Sequence, residues 1–80
     1  MSVTELKDEL KAVVKVADRI KSVHGRVAEK CGISEVYSQQ IRNHKGAKED
    51  TTENRSLIKK MIKHYRRELN DYAREIEVIS

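Results

Sequence analysis

Two apolar rows, one near each end of the chain, leave little choice of architecture. Val3, Leu6, Leu10, Val13, Ala17 and Ile20 recur at spacings of 3, 4, 3, 4 and 3. Ile58, Ile62, Tyr65, Leu69, Tyr72, Ile76 and Ile79 recur at 4, 3, 4, 3, 4 and 3. A mean step of about 3.5 residues puts each row on one side of an α-helix, as a narrow stripe suited to packing along another helix. The positions between are nearly all charged or polar. The spacing predicts one helix over residues 4–23 and another over residues 52–78.

The middle of the chain carries shorter signals. His24-Gly25 reads as the interruption that ends the first helix. Residues 26–31 make a short helical stretch with Val27, Ala28 and Cys31 on one side. Gly32 follows, where a helix end needs a residue free to take positive φ. Ser34 is then a natural N-cap for a helix running to Asn43, with Tyr37 and Ile41 turned inward at i, i+4. The stretch NHKGAKEDTT is polar and contains Gly46, so it reads as a loop. Asp50, Thr51 or Thr52 then caps the last helix, with Glu53 placed to complete a capping box.

Size and composition narrow the class further. The 80 residues form one domain, short enough that such chains commonly need a disulfide, a metal or a partner. Cys31 is the only cysteine, so no internal disulfide is possible. His24, His44 and His64 have no acid or thiol at ligand spacing, which leaves no metal site and no cofactor in this reading. Self-association is the remaining support. One free cysteine and a charged start, MSVTELKDEL, point to a reducing, cytoplasmic setting. The longest apolar run is Ala12 to Val14, so no membrane span is expected. With no proline, three glycines and 38% charged residues, the expected fold is all-α. It is a small bundle of four to five helices with long amphipathic helices at both ends.

Charge is distributed unevenly. Residues 1–24 hold five Lys/Arg against four acids, and residues 25–48 hold five against two. Residues 49–63 hold four against three, and residues 64–80 three against four. The excess of +3 in the second block marks where a phosphate backbone would be met.

Two short helices joined by a glycine-containing turn are the signature of a helix-turn-helix, here at residues 24–43. Ala28 is small where the second helix crosses, Gly32 makes the turn, and Ile33 plugs the angle between the helices. Val27 and Ile41 supply the apolar base. Glu35, Val36, Gln39, Gln40 and Asn43 then fall on the outer face.

The stretch RVAEKCGISEVYSQQIRNHKG resembles the phage-repressor (lambda-repressor-like or Cro-like) helix-turn-helix class. The resemblance covers about residues 21–63 and implies a second motif helix that enters the major groove, usually in a dimer on a near-palindromic operator. By that resemblance Ala28, Gly32, Ile33, Ser34 and Ile41 are framework residues. Ser34, Glu35, Val36, Gln39, Gln40 and Asn43 face the bases, and Lys45 contacts the backbone after the helix. Ser38 departs from the valine or isoleucine usual at its position, with Tyr37 expected to supply the missing bulk. The C-terminal helix also runs longer than a minimal domain of this class needs.

The chemistry agrees with that assignment. A glutamine amide donates and accepts at once, matching adenine in the major groove, and Val36 can lie against a thymine methyl. Arg26, Arg42, His44, Lys45 and Lys48 would pair with phosphates and set register. Glu35 accepts from a cytosine amine or supports the first turn through the helix dipole. Against these stand blander readings. Paired glutamines are often plain surface, Cys31 reads as a small buried apolar residue, and the histidines read as exposed. Lys59, Lys60 and Lys63 read as a solvated face, or else as a second phosphate contact. Tyr65 and Tyr72 read as part of the core stripe.

No arrangement suits catalysis, and no small-molecule substrate is evident. Ser34 has no histidine and acid beside it, and no glycine-rich phosphate loop occurs. Glu5, Asp8 and Glu9 are explained by ion pairs along a helix. The expected function is sequence-specific binding of double-stranded DNA in transcription regulation, by a homodimer of a prokaryotic or phage-encoded, nucleoid-associated protein. The alternative is a helical protein-binding module, antitoxin- or inhibitor-like, acting through its amphipathic helices.

Overall fold

The computed structural model describes residues 1–43 and 45–79, with the side chains of 77–79 left out. The chain is an all-helical bundle of four helices: α1 (Val3–Ala17), α2 (Val23–Cys31), α3 (Glu35–Arg42) and α4 (Thr52–Ile79). Among the described residues there is no strand. No helix is long and apolar enough to cross a membrane.

α1 and α4 each start at a side-chain cap. Ser2 and Glu5 form a capping box on α1, the Glu5 amide donating to Ser2 Oγ at 3.2 Å and the Ser2 amide to Glu5 Oε1 at 3.3 Å. The Ser2 amide and then the Ser2 hydroxyl, both donating to Glu5 Oε1, hold the Glu5 carboxyl below its ordinary pKa. Thr51 caps α4 by accepting from the Asn54 amide at 3.1 Å. Of the three candidate caps Thr51 is therefore the one used, and Asn54 rather than Glu53 answers it. Asp50 instead ties the start of α1 to the start of α4. Its Oδ1 accepts from the Val3 amide at 3.1 Å and from Arg55 at 2.7 Å, bonds that lower its pKa, Arg55 foremost.

The first helix ends earlier than its stripe. It stops at Ala17 rather than running to residue 23, and the chain turns through residues 18–22, with Ser22 in the left-handed region at φ 61°. His24 and Gly25 lie inside α2, not at a break. The turn keeps Ile20 packed on the core while redirecting the chain so that Val23, Val27 and Cys31 are buried as well. A straight continuation would have carried them past the end of the bundle. Gly25 is small for a different purpose. A β-carbon there would stand 3.0 Å from Glu35 Oε1, so the Glu35 carboxylate leans over the first turn of α2.

α4 is the spine. Its 28 residues make about 42 Å of helix, which accounts for the 44 Å long axis of the molecule. α1 and α2 pack on its first part, and α3 rests on α1 and α2. Tyr65, Leu6, Leu10, Ile41, Ile58, Met61, Val23 and Val27 are almost wholly buried between them. Burying each side chain of this size contributes about 1.5–3 kcal/mol.

The N-terminal stripe is thus spent inside the chain, against residues 58–65 of α4, and is not available to a second copy. The C-terminal stripe instead outruns the helices that cover its first part. Leu69 is half-buried, Tyr72 is 39% exposed and Ile76 is 49% exposed. Tyr72 therefore does not belong to the core as its spacing suggests.

Candidate functional site

α2 and α3 meet through the short turn 32–34. Gly32 sits at φ 71°, the left-handed conformation that a β-carbon penalises, and its amide closes the end of α2 by donating to Glu29. The Ile33 amide reaches back to the Ala28 carbonyl at 3.0 Å, and the Ile33 side chain packs on the core. Ser34 Oγ accepts from the Tyr37 amide at 3.1 Å and begins α3.

The two sides of α3 then separate cleanly. Ile41 and Ser38 are fully buried and Tyr37 is half-buried, while Ser34, Glu35, Val36, Gln39, Gln40 and Asn43 are all exposed. At about 100° per residue, Gln39, Val36 and Asn43 lie within about 40° of the direction opposite Ile41. Gln40 is turned about 80° from that direction, and its Cβ faces the loop at Gly46. Val36 is 65% exposed, an apolar side chain held in water at the centre of a polar face.

The exit from α3 is locked. The amides of Lys45 and Gly46 both donate to the Gln40 carbonyl, at 2.8 and 2.9 Å. Gly46 is pressed so close that a β-carbon would meet the Ile41 nitrogen and the Tyr37 ring, each at 3.2 Å. Lys7 from α1 donates to the Gly46 carbonyl at 2.5 Å. Burial, helped by Lys48, pushes the pKa of this ammonium down.

Tyr37 turns inward onto the core as its spacing predicts, and Ser38 is buried at its position. Tyr37 packs beneath the Gly46 loop, and Ser38 is the residue buried against the body. The bulk missing at Ser38 comes from α4, whose Tyr65 hydroxyl lies beside it. The Ser38 hydroxyl makes no hydrogen bond of good geometry. Tyr65 is held instead by His24 Nδ1 at 2.8 Å, and burial pushes its pKa up. His24 Nε2 in turn meets Asp18 Oδ1 at 2.7 Å. With Nε2 protonated and donating to Asp18, Nδ1 accepts from the tyrosine hydroxyl. His24 is therefore not a loose surface residue. It joins the turn before α2 to the spine.

The expected phosphate-contacting cations fall into two groups. Lys45 and Lys48 are exposed beside the end of α3. Arg26 and Arg42 are tied down. Arg26 Nε donates to Glu68 Oε1 at 2.6 Å, and Lys30 lies 3.7 Å from the other oxygen of the same buried carboxylate. Arg42 Nε donates to the Ser38 carbonyl at 3.4 Å, back along its own helix. His44 lies outside the described residues.

No feature of the sequence singles out Glu68. It borders the apolar stripe, and its partners are more than 35 positions away, so no local spacing announces it. Cys31 is buried, and desolvation pushes its thiol pKa up. Among the described residues no group of three or more His, Cys, Asp or Glu side chains is placed to hold a metal.

No protein-family model matches the chain, and no curated protein and no solved structure is significantly similar to it. The resemblance to phage repressors therefore rests on the sequence of residues 26–46 alone.

Proposed function

We propose that the chain is a helix-turn-helix protein that binds double-stranded DNA in a sequence-specific way and regulates transcription, with α3 entering the major groove. The observation that carries this reading is the outer face of α3, where Gln39, Val36 and Asn43 stand together in water on a helix locked at both ends. Rigid placement of a short helix is what base reading needs, because a hydrogen bond to a base edge fails when the side chain wanders. Gln39 is the residue best aimed at a base, with Val36 beside it for a thymine methyl. Ser34, Glu35 and Gln40 flank them, and Lys45 and Lys48 meet phosphates. Arg26 and Arg42 support the fold first.

The test is binding to a duplex selected from a random pool. Gln39→Ala should cost about 1–3 kcal/mol on the selected site and little on random DNA. Lys45→Ala should weaken both together and lower the salt slope by about 0.9. Equal losses on both duplexes from Gln39→Ala would sink the assignment of the reading face. Binding of a protein through an apolar stripe, the competing reading, would change little with salt.

A second copy completes this reading. Leu69 and Tyr72 continue the core stripe beyond the part of α4 that α1 and α2 cover, and a twin helix fits such a narrow stripe. A dimer joined there holds two α3 helices for half-sites about 34 Å apart. Light scattering should give twice the 9.3 kDa of one chain. Leu69→Lys with Tyr72→Lys should give monomers that lose most of their affinity for a palindrome.

A further inference from the structure

The side of α4 turned away from α3 carries a second charged surface. Tyr65 points toward α3, since its hydroxyl lies beside Ser38. Lys59, Lys63 and Arg67 lie about 120–160° around the helix from it, on the opposite side of the molecule. All three are exposed, as is Lys60, and none makes an ion pair among the described residues. They follow one another at i, i+4 and i+8, an arrangement in which each like-charged pair weakens a helix.

His64 registers the field of this row from within. Its ring is half-buried with Nδ1 unbonded, and burial together with Lys30, Arg67, Lys60 and Lys63 lowers its pKa.

The composition of the row indicates what it meets. Of the exposed large apolar side chains among the described residues, Met1 borders it, in the groove between α1 and α4 that Lys59, Lys63 and Arg67 line together with Glu9 and Asp71, while Val16, Val36, Tyr72 and Ile76 do not line that groove. Protein partners are held by clusters of aromatic or aliphatic anchors, and the single exposed Met1 beside the row is not such a cluster. A phosphate backbone needs only positive charge.

We propose that Lys59, Lys63 and Arg67 form a sequence-independent phosphate-backbone contact on the face opposite α3, through which one molecule holds a second duplex. The bridging half of this proposal rests on the reading of α3 given above. The ridge itself does not.

The test uses the full chain and the triple variant Lys59→Gln, Lys63→Gln, Arg67→Gln. A selected duplex is fixed to beads, and capture of a labelled random duplex is measured. Wild type should retain the second duplex, and the variant should lose at least about tenfold of that capture while binding the selected duplex within about threefold of wild type. The salt slope for random DNA should fall by about 2.7, or 0.9 for each phosphate no longer neutralised. Lys59→Arg with Lys63→Arg should preserve capture.

In wild type, random duplex should raise the titration midpoint of the His64 ring followed by NMR. Undiminished capture by the triple variant, or no capture by wild type, would overturn the proposal. So would a His64 shift produced by polyglutamate but not by duplex, which would make the row a protein site. Loss of capture in the triple variant, together with unchanged sequence preference in Gln39→Ala, would fault α3 and leave the ridge standing.

Discussion

The two halves of α4 obey one sequence rule and meet two fates. From Ile58 to Tyr65 the stripe is sealed by α1 and α2, and Ile58, Met61 and Tyr65 have no exposure at all. From Leu69 onward the same spacing continues, yet residues 70–76 are all exposed. The period decides which side of a helix is apolar. What covers that side depends on how much of the rest of the chain can reach it, and here α1 stops at Ala17.

The sharpest way to break this comparison is to truncate a tyrosine in each half. Tyr65→Ala should cost about 3–5 kcal/mol, because it empties the centre of the core and strands His24 without its partner. Tyr72→Ala, seven positions on, should stay within about 0.5 kcal/mol in a dilute sample, as exposed substitutions do. Urea denaturation of both variants checks the pair. Equal costs would mean that the distal half is covered even in the single chain.

Glu68 marks the boundary between the halves and should show an intermediate effect. Among the residues of α4 whose side chains are described it is the last buried one, held from α2 by Arg26 and Lys30. Glu68→Gln should cost about 1–2 kcal/mol, less than a fully buried pair because Arg26 is itself 42% exposed. Adding Arg26→Ala to Glu68→Gln should cost less than the sum of the two single changes, since both remove one interaction. Strict additivity would show that the pair does not fasten α2 to the spine.

Much of the motif region was legible because its signals are local. Gly32 at the turn, Ser34 as the cap, and the inward Ile41 need only their neighbours to be read. The end of α1 was not legible, because Ile20 keeps the phase of the stripe even though the helix has stopped before it. Gly25 misled for a related reason. A glycine in the sequence reads as a turn, whereas this one lies in a helix and makes room for Glu35. The site was half legible. The outward set on α3 follows from helical spacing, but the capture of Arg26 by Glu68 and the filling of the Ser38 gap by Tyr65 join residues far apart in the chain. Lys59, Lys60 and Lys63 stood out in the sequence, but Arg67, which extends the row, did not. Only the packing of Tyr65 shows which way it faces.

The smallest expected effect belongs to His64, and it tests the covered half of α4 from its outer edge. Burial, then the charges of Lys30, Arg67, Lys60 and Lys63, hold its folded pKa below the ordinary 6.5. Well above pH 6.5 the ring is neutral in both states, so it contributes nothing to the pH dependence of stability. As pH falls through that value the unfolded chain takes up the proton first, and linkage then draws the equilibrium toward the unfolded state. Stability should therefore decline with acidification in a window that begins near 6.5. Asp50 and Glu5 act in the same direction, but only below their ordinary values of 3.8 and 4.5, so the windows separate. His64→Gln should flatten the upper window and leave the lower one in place. Thermal melts at closely spaced pH values read both. A decline near neutrality that survives His64→Gln would detach the cationic ridge from the stability of the fold.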